Sequence, residues 1–181
     1  MNRTRRTFVT VGVLLTLTLS VALESSPAWA LGPSLYELTD DGGYVEGCFD
    51  PCMCPIFMNL TLQGSFQLTS VSQETDGAHF EVTAVDWQFV MGEEIIAVTG
   101  SGHYQIDSDQ HRMVLDLLVG DGPEQQFDSG LVALESEVPG IFIAVALNGF
   151  YCYDYVFDIA AVPAPVEEST SSWGSLKSTF R

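Results

Sequence analysis

The chain has 181 residues, with 6 Lys and Arg against 24 Asp and Glu and a formal net charge of -18 at pH 7. This balance excludes nucleic-acid binding through a basic, phosphate-neutralising face and speaks against attachment to an anionic membrane surface. A hydrophobic fraction of 46%, much of it in alternation, excludes a disordered polymer and leaves material for one ordinary domain with a real core.

Residues 1–30 have the three parts of an export signal. Arg3, Arg5 and Arg6 supply a cationic start, an uncharged run extends from Val9 to Leu23, and Ala28-Trp29-Ala30 offers small residues for cleavage before Leu31. Thr4-Arg5-Arg6-Thr7-Phe8-Val9 resembles the twin-arginine export motif, which implies export of an already folded bacterial protein. A general secretory leader fits the same residues. The apolar run is too short to span a bilayer comfortably, and no later stretch exceeds it, so a periplasmic or extracellular, soluble product is expected. After cleavage, Arg112 is the only cation between Leu31 and Ser175.

Residues 31–55 form a Cys- and Pro-rich segment, expected to pack on the domain that follows. From residue 56 to 162, turn signals recur and the segments between them alternate with period two. Leu60, Leu62, Phe66 and Leu68 share one face of the first strong strand. Phe80, Val82 and Ala84 lead into Val85, Trp87 and Phe89, and the change of parity at Ala84 predicts a β-bulge. Met91 to Glu94 turns the chain into Ile96, Val98, Gly100, Gly102, Tyr104 and Ile106. After Asp107-Ser108-Asp109-Gln110 come Met113, Leu115, Leu117 and Val119. A four-residue turn there pairs Ile106 with His111, Tyr104 with Met113, Gly102 with Leu115 and Val98 with Val119, which puts all the apolar partners on one face. Phe127, Leu131 and Ala133 follow Asp121-Gly122-Pro123.

Pro139-Gly140 precedes Ile141 to Leu147, and Asn148-Gly149 signals a two-residue hairpin into Tyr151 through Ala161. That loop places Ala146 opposite Tyr151, Ala144 opposite Tyr153 and Phe142 opposite Tyr155. Both faces of this hairpin are apolar, so cover on both sides is expected, with residues 31–55 over the second face. A cavity lined by these alanines and tyrosines is the alternative. The expected fold is all-β: an antiparallel meander of about seven to eight strands, closed into a small barrel or folded as a sandwich. Residues 163–181 read as a Pro- and Ser-containing linker and a tail. The tail places Trp173, Leu176 and Phe180 at helical spacing beside Lys177 and Arg181, a candidate docking element. It resembles a short peptide found at the C-termini of other exported bacterial proteins.

Four cysteines, Cys48, Cys52, Cys54 and Cys152, allow three pairings. Joining Cys52 to Cys54 closes a very small ring, so Cys152 is expected to bond either Cys52 or Cys54, with Cys48 taking the other. A bridge of that span stabilises by roughly 4–5 kcal/mol in the chain-entropy model. An alternative reading uses the four thiolates, with Met53 and Met58 nearby, to hold zinc or cuprous copper. The Cys-x3-Cys-x-Cys spacing is not that of common zinc modules, and export favours disulfides. Calcium is a weaker cofactor candidate, on the acidic turns Asp40-Asp41-Gly42 and Asp107-Ser108-Asp109.

His79, His103 and His111 are the only histidines. The register above sends His103 and His111 to opposite faces of their hairpin, so they do not share a ligand. Arg112 and Asp116 share a strand face and form the candidate ion pair or anion site. Nucleophile elbows, phosphate loops and His-Glu-x-x-His motifs are absent from the sequence, and no catalytic residue is assigned. The segments Gly47-Cys48-Phe49-Asp50-Pro51-Cys52-Met53-Cys54-Pro55 and Asn148-Gly149-Phe150-Tyr151-Cys152 resemble an uncharacterised group of exported bacterial proteins. That resemblance implies a location and brings no activity. The sequence therefore leads to a secreted, acidic, disulfide-stabilised β module, non-enzymatic, with a binding or structural role and its candidate surface beside the last hairpin.

Overall fold

A computed structural model describes residues 33–52, 54–55, 57–74, 77–134 and 140–165. The expected leader and the docking residues Trp173, Leu176 and Phe180 lie outside this set. The described chain is all-β, with eleven strands in one antiparallel sheet. They are β1 (Ser34–Leu38), β2 (Gly43–Cys48), β3 (Phe57–Thr61), β4 (Gln63–Glu74), β5 (Gly77–Met91), β6 (Glu94–Asp107), β7 (Gln110–Val119), β8 (Glu124–Asp128), β9 (Val132–Ala133), β10 (Ile141–Ala146) and β11 (Tyr153–Pro163).

Register reduces these segments to a simpler plan. β1 and β2 lie end to end along one edge of β11, Leu38 facing Ala161 and Gly43 facing Asp158, with the Thr39 N–H donating to Ala160 O at 2.8 Å between them. β3 and β4 continue each other in the same way, β3 against β2 and β4 against β1. β8 and β9 both lie along β7. Joined so, the strands follow one another around a ring that the β1–β11 ladder closes. The joint between β8 and β10 is the slightest, a single facing pair, Ala146 and Asp128.

Short β-rich turns and period-two alternation explain this path. Inward positions collect Leu62, Phe66, Val82, Trp87, Phe89, Val98, Met113, Leu115, Leu117, Phe127, Val145 and Phe157, all nearly inaccessible, into one core. Aromatic rings fill its middle: Tyr44 stacks on Phe89 at 4.3 Å, and Phe127 meets Phe157 edge-on at 5.1 Å. Among the described residues, Trp87 Nε1 is the buried side-chain polar atom that lacks a hydrogen-bond partner. The bulge expected at Ala84 is present: the β5–β6 register shifts between Val82 and Val85, and Ala84 has φ of 50°. Leu131 and Ala133, expected to follow Phe127 inward, are exposed, because the chain departs from the β7 ladder between β8 and β9 at Gly130 (φ 64°).

The β6–β7 hairpin has the expected register throughout, from Ile106 facing His111 to Val98 facing Val119. Gly100 and Gly102 face Leu117 and Leu115. A Cβ on Gly102 would run into the Val114 carbonyl oxygen and come within 2.9 Å of Leu115 Cδ2. Backbone must move to admit it. Gly102→Ala is therefore expected to destabilise by about 3 kcal/mol, the range of an overpacked core, measured as a lower urea midpoint at unchanged slope.

The last hairpin departs from expectation in two ways. Its loop is longer than Asn148-Gly149: Ala146 faces Val156 and Phe142 faces Ala160, so the tyrosines are not opposite the alanines. A buried carboxylate sets this register. Asp154 is inaccessible and accepts N–H bonds from Asn148 at 2.8 Å, Phe150 at 2.7 Å and Tyr155 at 2.7 Å, which organises a wide turn around it. The second correction concerns residues 31–55. They include strands: β1 and β2 join the sheet at the β11 edge, and Phe49, just after β2, lies over the outer face of the hairpin. There Val45, Ala146 and Val156 form a small cluster covered by Phe49 and Phe150, whose rings meet edge-on at 5.9 Å.

His111 takes the inward side of β7 and is 1% exposed, while His103 faces out. Its Nδ1 and the Tyr104 hydroxyl lie 3.0 Å apart. Burial lowers the His111 pKa, so the fold favours the neutral ring. The unfolded chain takes up the proton near 6.5. Above that pH both states are neutral; as pH falls through it, the unfolded state binds more protons and stability declines, until the pH passes below the folded value. The urea midpoint is expected to fall between pH 7.5 and pH 5.5. The His111→Gln variant, which cannot titrate, should show less of that fall.

Candidate functional site

Chemistry-bearing side chains gather in two places, the cysteine segment beside β11 and the outer face of β5, β6 and β7. The first was expected. Cys52 bonds Cys152 across a sequence separation of 100, and Cys48 bonds Cys54 across 6, with Cα atoms 4.8 and 5.6 Å apart. The ladder explains the choice. Tyr153 faces Cys48, and the Phe49 N–H donates to Cys152 O at 2.9 Å, so the chain leaves β2 already alongside Cys152. A turn at Asp50 and Pro51 then brings Cys52 back, with its N–H donating to Phe49 O at 3.1 Å. All four sulfurs are in disulfides, and no cysteine is free.

Glu46 anchors the polar groups at this end. One carboxylate oxygen accepts from the Tyr153 hydroxyl, the other from the Tyr44 hydroxyl at 3.4 Å. The bond to Glu46 is the main reason that the Tyr153 phenol is pushed up to about 12, while burial is the main reason that Tyr44 is raised. Both phenols therefore remain protonated donors at neutral pH. Tyr155 packs edge-on against Tyr153 at 5.6 Å, and Tyr151 is 62% exposed beside them. These groups hold one another in place.

The second place holds the scarce residues. Arg112 does form an ion pair, with Asp128 on β8 and not with Asp116. Its Nε donates to Asp128 Oδ1 at 2.9 Å and its Nη2 to Oδ2. Four residues along one strand is about 13 Å, beyond side-chain reach, whereas Asp128 faces Val114, two residues from Arg112 on the neighbouring strand. Asp116 instead accepts from Gln126 Nε2 at 3.0 Å. The guanidinium bond holds the Asp128 carboxyl below its ordinary range and raises Arg112 further.

Neighbouring strands bring further polar residues to the same face. Val114 also faces His103, which puts His103 diagonal to Arg112; Gln105 faces His79, which puts His79 diagonal to His103. Asp128, Val114, His103 and Glu81 thus make one row across β8, β7, β6 and β5, and Arg112, Gln105 and His79 make the adjacent row. Glu81 faces His103, and Gln105 faces both His79 and Arg112. A groove of about 600 Å³ lies here, lined by Arg112, Gln105, His103, His79 and Glu81 together with Val71 and Val114. Two of the three histidines and the solitary mid-chain cation share it. The β6–β7 register legible in the sequence places His103 diagonal to Arg112, and His79 and Glu81 join them only through the β5–β6 ladder.

A second groove of about 270 Å³ lies outside β10 and β11, floored by Ala144 and Ala160 and lined by Phe142, Asp41 and Asp158. Burial raises the Asp158 carboxyl. The acidic turns considered for calcium are in place at Asp40-Asp41 and Ser108-Asp109. Among the described residues no three His, Cys, Asp or Glu come together as a metal-holding group. No helix there is long and apolar enough to cross a membrane. Comparison with family models, curated proteins and solved structures returned no match.

Proposed function

We propose that this chain is an exported, disulfide-stapled binding module that holds a small polar ligand in the β5–β7 groove and performs no catalysis. The observation that carries this reading is the concentration of Arg112, His103, His79, Gln105 and Glu81 in one concavity of a chain otherwise dominated by carboxylates. The volume lies within the range of small-molecule sites. The lining includes no Ser, Thr, Cys or Lys, and its histidines, Glu81, Gln105 and Arg112 offer polar contacts to a ligand. Two disulfides are compatible with an oxidising compartment, as the leader implies, and they make a rigid frame for such a face.

Amide chemical-shift mapping against a library of small polar compounds tests the site. Shifts clustered at residues 79–81, 103–105 and 112–114 are expected. Shifts confined to the disulfide end, or none, would overturn the groove. The four-cysteine metal reading is tested separately on unreduced protein from its own compartment. A mass lower by four hydrogens with no titratable thiol is expected, while thiols released by a chelator would make the cysteines zinc or copper ligands.

A further inference from the structure

We propose that the groove takes its ligand as a zwitterion, a short peptide with free ends whose carboxylate lies at Arg112 and whose ammonium lies at Glu81; this rests on the groove being the binding surface. The long-range field limits the choice first. A net charge of -18 repels anions from the whole molecule, and attracts cations everywhere without favouring this face. A molecule of zero net charge escapes both effects and is oriented by local charges within a Debye length.

The local charges are of opposite sign and set apart. Glu81 is on β5, level with Val114, and Arg112 is on β7, two strand spacings across and two residues along, about 12 Å in all. An extended peptide advances about 3.5 Å per residue, so about three residues match the interval. Asp128 occupies the Nε and Nη2 edge of Arg112, which fixes the guanidinium and leaves Nη1 directed away from that bond. Glu81, Gln105, His79 and His103 make no side-chain hydrogen bond among the described residues, and the first and last two are exposed. Gln105 faces Arg112 and His103 is diagonal to it, so both can add donors to a carboxylate there. Glu81 accepts from an ammonium at the other end. Val114, beside Arg112 on β7, and Val71, on β4 beyond Glu81, supply apolar wall at the two ends.

Tri-alanine, its N-acetyl form and its C-terminal amide separate the requirements by calorimetry or shift titration. The free peptide is expected to bind, and each blocked form at least tenfold more weakly. Glu81→Gln should abolish the distinction between free and N-acetyl peptide but keep that between acid and amide. Arg112→Gln should do the converse. Both positions are on the surface, and circular dichroism checks that the variants fold. Equal binding of all three peptides, or none at about 10 mM ligand, overturns the zwitterion. Shifts from some other compound in the library would in that case leave the groove standing.

Discussion

Replacing Cys52 and Cys152 together by Ser should lower unfolding stability by about 4–5 kcal/mol, against about 2 kcal/mol for Cys48→Ser with Cys54→Ser. The difference follows from loop length. The first bridge closes a sequence separation of 100 and the second a separation of 6, and the entropy withheld from the unfolded chain grows with the logarithm of that length. The long bridge also joins the two ends of the ring path. β2 and β11 still have their ladder when the bond is removed, so the native topology should persist with a lower midpoint. Urea unfolding of both double variants without reductant measures this. If the short bridge proves as stabilising as the long one, its contribution comes from native-state packing around Phe49 and Phe150, and the chain-entropy account fails here.

How much was legible depends on the range of the forces involved. The β6–β7 register could be read because turn length and the inward apolar set agree within one hairpin, and a one-residue slip would have buried Arg112 and Asp116. The Ala84 bulge was readable for the same reason, since parity changed within one segment. The last hairpin was misread because its register is set from elsewhere. Asn148-Gly149 carries a local preference for a two-residue loop. Asp154, the Cys52 bridge and the Phe49 N–H on Cys152 O outweigh it, with Phe150 and Cys152 held at positive φ. β1 and β2 were missed as sheet members because they are short, and because what pairs them is the edge of the most distant strand.

The candidate site divides along the same line. The cysteine pairing was narrowed to two choices by ring size, a local argument, and tertiary register made the choice. Arg112 pairs with Asp128 and not with the expected Asp116, because the partner is set by the β7–β8 offset, which spacing along one strand does not contain. The groove required three strands to be placed at once. His79, Glu81 and His103 are unremarkable in sequence; they become a site when adjacent strands bring them to one outer face.

Asp154→Ala should be nearly as damaging as loss of the long bridge, at about 3–5 kcal/mol. Three backbone N–H groups end on this one carboxylate, and a buried donor left without an acceptor costs about 1–3 kcal/mol. Asn is the informative control. Oδ1 receives both Asn148 and Tyr155, and Oδ2 receives Phe150. An amide can keep the first oxygen and its two bonds, but it turns an NH2 group toward the Phe150 N–H. The expected penalty for Asp154→Asn is therefore about 1–2 kcal/mol, with hydrogen-exchange protection lost first at Phe150. Equal penalties for Ala and Asn would mean that negative charge, and not acceptor count, holds the turn. Because the turn also presents Cys152 to Cys52, the Ala variant should form the long bridge more slowly during oxidative refolding, a rate that trapping of free thiols follows directly. Cys48–Cys54, whose partners both lie upstream, should form at an unchanged rate.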